Sequence, residues 1–86
     1  MKIEKKVWPE FFERILRGEK KYELRLADFE CRSGDVLVLK EWDPTMKQYT
    51  GRMMEKEVTF VLKTSEVKFW PKEDVEKYGL QIISFR

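Results

Sequence analysis

The sequence predicts a mainly β fold of the α+β class. We expect a small, mostly antiparallel barrel, with one helix after the first strand and a short second helix before the last strand. The 86 residues allow a single domain over residues 1–86. After position 20, most apolar residues recur with the period of two that is typical of strands. The links over 27–34 and 43–51 are too short for the crossover helices that parallel neighbours require.

The first two predicted elements are a strand over 3–7 and a helix over 9–17. Pro9 suits the first helical position, because the N–H that proline lacks has no partner there. Gly18 suits the C-terminal cap. We expect the helix to pack on the barrel through apolar residues at helical spacing, which are Phe11 or Phe12, Ile15 and Leu16.

Strand patterns follow. In residues 20–26, one face carries Tyr22, Leu24 and Leu26, and the other carries Lys21, Glu23 and Arg25. Residues 36–39 are typical of a strand buried on both faces, and 43–51 of a hairpin loop. A long strand is predicted over 52–63, with an apolar side that comprises Met54, Val58, Phe60 and Leu62. The predicted second helix spans 71–78 after an entrance of Phe69, Trp70 and Pro71, and a last strand spans 80–85.

The composition excludes several function classes. With one cysteine, Cys31, and no histidine, the chain can form neither an internal disulfide nor a zinc site of the usual Cys/His type. A nucleophile activated by histidine is excluded as well. We also expect no metal and no cofactor. No apolar run approaches the roughly 20 residues that span a bilayer, so we expect a cytoplasmic protein without a membrane partner.

Charge is abundant and uneven. The net charge is +2, but residues 1–25 carry eight basic and five acidic side chains and so hold the whole excess. Any contact with nucleic acid must then come from a local basic patch. The sequence has no Asn and two Gln, while Lys and Glu together make up 24 residues. Such a composition is typical of hyperthermophile proteins.

The segment from Gly18 to Arg25 has the pattern G-x-K-x-x-E-x-R and resembles the signature of the ASCH family, a branch of the PUA-like small barrels. Four further segments are similar in order and spacing to an ASCH-like subgroup, DUF3850, which is common in prokaryotes and phages. They are 8–9, 34–37, 41–44 and 49–52, and the resemblance covers about residues 6–62.

The resemblance implies a PUA-like barrel with a cleft where the first helix meets the motif strand. Family members are proposed to bind RNA or modified nucleosides there. By position, the motif residues that carry over are Gly18, in a structural role, and Lys20, Glu23 and Arg25, as ligand-binding residues. Lys20 can join Glu23 only if the chain bends at 20–21, because residues three apart lie on opposite faces of a straight strand. The alternative is an exposed ion-pair network.

Other binding candidates come from the residues themselves. Lys21 adds charge beside the motif. Trp42 is a candidate stacking platform for a base, and Tyr49 and Arg52 flank the glycine of the hairpin. Plain packing and turn roles remain open for all three. Trp8 and Trp70 are expected to be packing residues. We expect Lys2, Lys5 and Lys6 to be solvated unless they border the cleft.

The favoured function is an RNA-binding or modified-nucleotide-binding module. One alternative is a hydrolase of modified nucleosides, because one ASCH branch resembles an amidohydrolase with a K-x-x-T pattern. In this chain Glu23 occupies the position of that threonine, which argues against an enzyme, and any catalysis would use Lys20 and Glu23. The other alternative is a protein-interaction domain with no nucleic-acid ligand.

Overall fold

The computed structural model describes residues 1–66, 68 and 70–86. Its elements are β1 (Lys2–Val7), α1 (Pro9–Leu16), β2 (Tyr22–Leu26), β3 (Val36–Asp43), β4 (Gln48–Lys63), a 3₁₀ helix (Thr64–Glu66), α2 (Lys72–Tyr78) and β5 (Leu80–Phe85). The prediction of a mainly β chain with two short helices is confirmed. Phe69, which we placed at the entrance of the second helix, lies outside the described residues.

The five strands form one curled sheet in the order β1-β3-β4-β5-β2, which makes a half-barrel. The sheet is mixed. Three of the four pairings are antiparallel, as predicted, but β1 pairs with β3 in parallel. This parallel pair is possible because residues 8–35, with α1 and β2, form the crossover between its strands. The barrel is therefore open between its two edge strands, β1 and β2.

Helix α1 packs on the sheet through Phe12 and Ile15, which are almost completely buried. The expectation that Leu16 also packs there was wrong, since 54% of its surface is exposed. A helix of only eight residues presents one narrow stripe to the sheet. The core that this stripe completes consists of Val7, Phe12, Ile15, Cys31, Leu37, Leu39, Val58, Ile83 and Phe85.

The two faces of β2 are arranged in an unexpected way. Tyr22, Leu24 and Leu26 are exposed, whereas Glu23 is buried. Glu23 pairs across the ladder with Ile83, a core residue, and cross-strand partners lie on the same face. The charged face of β2 thus points into the half-barrel.

A β-bulge interrupts β4 between Val58 and Phe60. Val58 is buried, but Phe60 is 58% exposed, so the prediction that both lie on one side was wrong. The extra residue reverses the alternation of side chains along the strand. Val61 then takes the inward position beside Ile83.

Candidate functional site

A cleft lies in the gap between the edge strands β1 and β2, next to the first turn of α1. Its volume is about 410 Å³. The cleft is formed by the end of β1, the start of α1 and the chain from Lys20 through β2. Its lining residues are Lys6, Val7, Trp8, Phe11, Lys20, Tyr22, Glu23, Leu24 and Arg25.

The local fold explains how the motif residues reach the cleft. After α1, Gly18 has a φ of 79°, in the left-handed region that glycine tolerates, and its N–H donates to the carbonyl of Ile15. The turn continues to Lys20, whose N–H donates to the carbonyl of Arg14 at 3.1 Å. Because β2 begins only at Tyr22, Lys20 lies outside the strand. The alternation of side chains between the two faces of β2 therefore does not separate Lys20 from Glu23.

Lys20, Glu23 and Arg25 form one connected cluster. The Nζ atom of Lys20 donates to Oε1 of Glu23 at 2.8 Å and to the carbonyl of Tyr22 at 2.6 Å. The Nε atom of Arg25 donates to the other carboxylate oxygen of Glu23 at 2.9 Å. Glu23 is 4% exposed, so both cations serve to neutralise a buried carboxylate.

This cluster keeps donors for a ligand. An ammonium has three N–H donors and a guanidinium has five. Within the described ranges, Lys20 uses two of its donors, and Arg25 uses its Nε and one N–H of Nη2. One N–H of Lys20 and three of Arg25 are left, and the formal charge of the three side chains is +1. The arrangement can therefore hold an anionic or acceptor-rich group.

Arg25 also connects the two edges of the half-barrel. Its Nη2 atom donates to the main-chain carbonyl of Lys6 on β1. No backbone ladder joins β1 to β2 in the described part of the chain. The guanidinium therefore spans the gap where a barrel strand pairing is missing.

Aromatic rings surround this charged cluster. Trp8 is 50% exposed and Phe11 is 42% exposed, and both line the cleft with Tyr22. The Nζ atom of Lys20 lies 4.6 Å from the ring centre of Tyr22 and 5.9 Å from that of Phe11. The cleft thus combines flat apolar surfaces with cations, the pair of features that a base and its phosphate require.

The other candidate residues lie outside the cleft lining. The side chain of Lys21 is exposed. Trp42 and Tyr49 pair across the β3–β4 hairpin, with ring centres 5.0 Å apart in an edge-to-face arrangement. The structure therefore brings together Lys20, Glu23 and Arg25, and it groups Trp42 with Tyr49 on a separate surface.

Arg52 belongs to a second ion-pair cluster. Its guanidinium donates to both carboxylate oxygens of Glu41, at 3.0 and 2.8 Å, and to Glu13 of α1 at 2.8 Å. The hydrogen bonds from Arg52 hold the pKa of the buried Glu41 below its usual range, and those to Glu41 and Glu13 raise the pKa of Arg52. Arg52 also lies over the ring of Phe12, 4.8 Å from its centre. It thereby ties α1 to the sheet.

Neither a metal centre nor a membrane segment emerges from the described residues. Residues 1–66, 68 and 70–86 contain no group of three or more Cys, Asp or Glu placed to hold a metal ion. In the same ranges, no helix has the length and apolar character that crossing a bilayer requires.

Sequence reasoning missed Lys6, Trp8, Phe11 and Tyr22 as cleft residues. We expected Trp8 to be a packing residue, and we expected Lys6 to be solvated unless it bordered the cleft, which it does. The available signal was the position of Trp8 directly before the helix that leads into the motif. The role of Lys6 had no sequence signal, because it depends on β1 and β2 meeting as the two edges of the sheet.

Comparison with known proteins gave three findings. The family model described as "Domain of unknown function (DUF3850)" matches residues 3–72. An uncharacterized 12.9 kDa protein in the GpA 3′ region of Escherichia phage P2 is 35% identical over 63 residues, which are 73% of this chain and 56% of the phage protein. The chain thus matches little more than half the length of that relative.

The third finding concerns the fold alone. The crystal structure of the hypothetical protein PH0355 superposes with a TM-score of 0.68 and 22% sequence identity. The superposition covers 100% of this chain and 98% of that one. The overall fold of this chain therefore recurs in a solved structure.

Proposed function

This chain belongs to the DUF3850 family, a domain of unknown function, and we propose that it binds RNA or a modified nucleotide in the cleft between β1 and β2. One observation carries the proposal. A buried carboxylate, Glu23, holds two cations in a cleft lined by half-exposed aromatic rings, and both cations keep N–H donors that no described residue uses.

Each part of the cleft matches a part of a nucleotide. Trp8, Phe11 and Tyr22 offer ring faces on which a base can stack. The remaining N–H donors of Lys20 and Arg25 suit phosphate oxygens. Glu23 accepts one hydrogen bond on each oxygen and keeps lone pairs for an exocyclic amine of a base.

Membership of the ASCH branch of the PUA-like proteins is part of the same proposal. The G-x-K-x-x-E-x-R pattern from Gly18 to Arg25 supports it, and so does a half-barrel whose first helix adjoins the motif strand. In that kinship, the cleft next to the first helix is the expected place for an RNA ligand.

Titration of RNA oligomers at several salt concentrations tests the proposal. With three or four phosphates neutralised, log K should fall against log[salt] with a slope of about −2 to −3, at about 0.7 per contact for single strands. Arg25→Ala should weaken binding and flatten the slope by about 0.7, the value of one lost contact. Glu23→Gln should change the preference among bases more than the salt dependence.

A matched control is available in Arg17→Ala. Arg17 is exposed at the end of α1, pairs with Glu19 and does not line the cleft, so its loss removes the same charge from a different place. We expect this variant to bind nearly as the unmodified protein does. Equal losses of RNA affinity in Arg17→Ala and Arg25→Ala would show that binding depends on the total charge and not on the cleft. A lack of salt-sensitive binding at low ionic strength would reject the cleft as an RNA site.

A further inference from the structure

Lys6 borders two separate surfaces. Its main-chain carbonyl accepts a hydrogen bond from Arg25, and the residue lines the cleft. Its side chain extends to the outer face of the sheet, where Nζ lies 3.8 Å from the ring centre of Trp42. We name Trp42 and Tyr49 the outer aromatic pair. One residue of the edge strand thus connects the cleft with this pair.

The outer aromatic pair has the features of a second stacking site. Tyr49 is half exposed, and Trp42 packs against it edge to face. The parallel register of β1 and β3 places Lys6 beside Lys40, and both ammonium groups lie 5.7 Å from the ring centre of Tyr49. The pair is therefore bordered by two cations, Lys6 from β1 and Lys40 from β3.

We propose that the protein binds two consecutive nucleotides of a single strand. This inference rests on the function proposed above. The first base occupies the cleft, the phosphate between the nucleotides contacts Lys6, and the second base stacks on the outer aromatic pair. Single-strand binding sites commonly combine a tracking cation with successive aromatic platforms in this way.

The position of the Lys6 ammonium couples the phosphate to the second base. In the free protein this ammonium covers the ring of Trp42. A charge-assisted hydrogen bond to phosphate is stronger than an exposed cation–π contact, so a phosphate draws the ammonium away. The ring face that it leaves is then open to the base. A nucleoside monophosphate lacks the phosphate between two nucleotides, so it leaves the Lys6 ammonium over the ring of Trp42.

The test compares a nucleoside 5′-monophosphate with the 5′-phosphorylated dinucleotide by calorimetry, in ribose and deoxyribose forms. We expect the dinucleotide to bind about 5- to 150-fold more tightly, the range that stacking one base on an aromatic side chain supplies. In Tyr49→Ala and in Trp42→Ala, the ratio of the two dissociation constants should fall by most of this factor, and only the smaller gain from the phosphate on Lys6 should remain. Trp70→Ala is the control, because it removes an exposed indole that belongs to neither the cleft nor the outer aromatic pair. This variant should keep the ratio of the unmodified protein.

Lys6→Gln supplies an independent readout, because it keeps the main-chain carbonyl that Arg25 uses. The ratio in the unmodified protein should decrease with salt with a slope of about 0.7, the value of one extra phosphate, and in Lys6→Gln it should not depend on salt. Circular dichroism checks that each variant is folded. The ribose and deoxyribose arms show whether the strand is RNA or DNA.

Two outcomes would overturn the inference, and they are distinguishable. If the monophosphate binds but the second nucleotide adds nothing, or if its full gain survives in both Tyr49→Ala and Trp42→Ala, the two-nucleotide site is wrong and the proposed function stands. If neither ligand binds at low salt, the proposed function fails and the two-nucleotide site fails with it.

Discussion

The two buried carboxylates of the described chain are neutralised in different ways. Glu41 accepts hydrogen bonds from Arg52 on both oxygens and from Thr50, and Arg52 is engaged further by Glu13. Glu23 instead shares two cations that face a cleft and keep donors. The first cluster has one cation for two carboxylates, so its formal charge is −1, which is typical of a structural ion pair. The second has two cations for one carboxylate, so its formal charge of +1 leaves capacity for an anionic ligand.

The Glu41 cluster predicts a pH-dependent stability. The pKa of Glu41 is lowered in the folded state by its hydrogen bonds from Arg52, so its ionised form stabilises the fold. This stabilisation is complete above the ordinary glutamate pKa and is lost as the pH falls through the lower pKa of the folded state. Urea unfolding should show that Glu41→Gln is less stable than the unmodified protein at pH 7, and that the difference shrinks toward pH 3. Glu10→Gln, a change at an exposed glutamate of α1, is the control, and a difference of equal size at both pH values would contradict the prediction.

From the motif glutamate, Glu23, we also predict that the protein does not hydrolyse acetylated nucleosides. In the K-x-x-T pattern of the enzymatic branch, a threonine would stand where Glu23 stands, so the attacking hydroxyl is missing. Chromatography should detect no hydrolysis of an N-acetylated nucleoside by this protein. Turnover that disappears in Lys20→Ala would contradict this and would indicate water attack assisted by Lys20 and Glu23.

Among the elements, α1 shows most directly how sequence neighbours can differ in burial. Ile15 is buried against the sheet, while the adjacent Leu16 is half exposed. Ile15→Ala should lower the free energy of unfolding by about 2–5 kcal/mol, as truncations of buried side chains do. Leu16→Ala, the matched control, should cost less than about 0.5 kcal/mol. Equal losses in denaturant unfolding would show that the helix does not pack through the Phe12–Ile15 stripe.

The alternation in β2 and β4 was only partly informative about burial. It correctly separated Glu23 and Arg25 from Leu24, but it could not tell which face is inside. That choice depends on Lys20 and Arg25, which together neutralise the inward carboxylate. The bulge in β4 had no local signal either, because no glycine marks it, and so Phe60 was misplaced.

At the scale of the whole molecule, the order of elements could be predicted, because helical and strand periods are local properties of the sequence. The location of the cleft required the strand order. It exists because β1 pairs with β3 and β2 with β5, which leaves these two strands as the edges of the sheet. Such pairings join segments far apart in the chain, and no periodicity encodes them. The sequence alone could therefore predict the motif residues, but the residues that face them across the gap became known only from the strand order.

The charge-rich, amide-poor composition predicts a high melting temperature. Ion pairs connect separate elements, and Arg52 forms a network with Glu13 and Glu41 that joins α1 to the sheet; such networks favour stability at high temperature. We expect a melting temperature above about 90 °C by calorimetry. High salt should lower it, because exposed ion pairs are screened. A value of about 45–65 °C, the range of mesophilic domains, would contradict a hyperthermophilic origin.

The bond from Arg25 to the carbonyl of Lys6 has a consequence for the shape of the molecule. In a closed barrel, a ladder of backbone hydrogen bonds joins the first and last strands of the sheet. Here the side chain of Arg25 alone spans the opening between β1 and β2 in the described part of the chain. The N–H groups of Arg25 that we propose for ligand binding belong to the same guanidinium that connects the two edge strands. Under the proposed function, a single arginine would therefore both contact the ligand and connect the two edge strands, and the five N–H groups of its guanidinium would be divided between these roles.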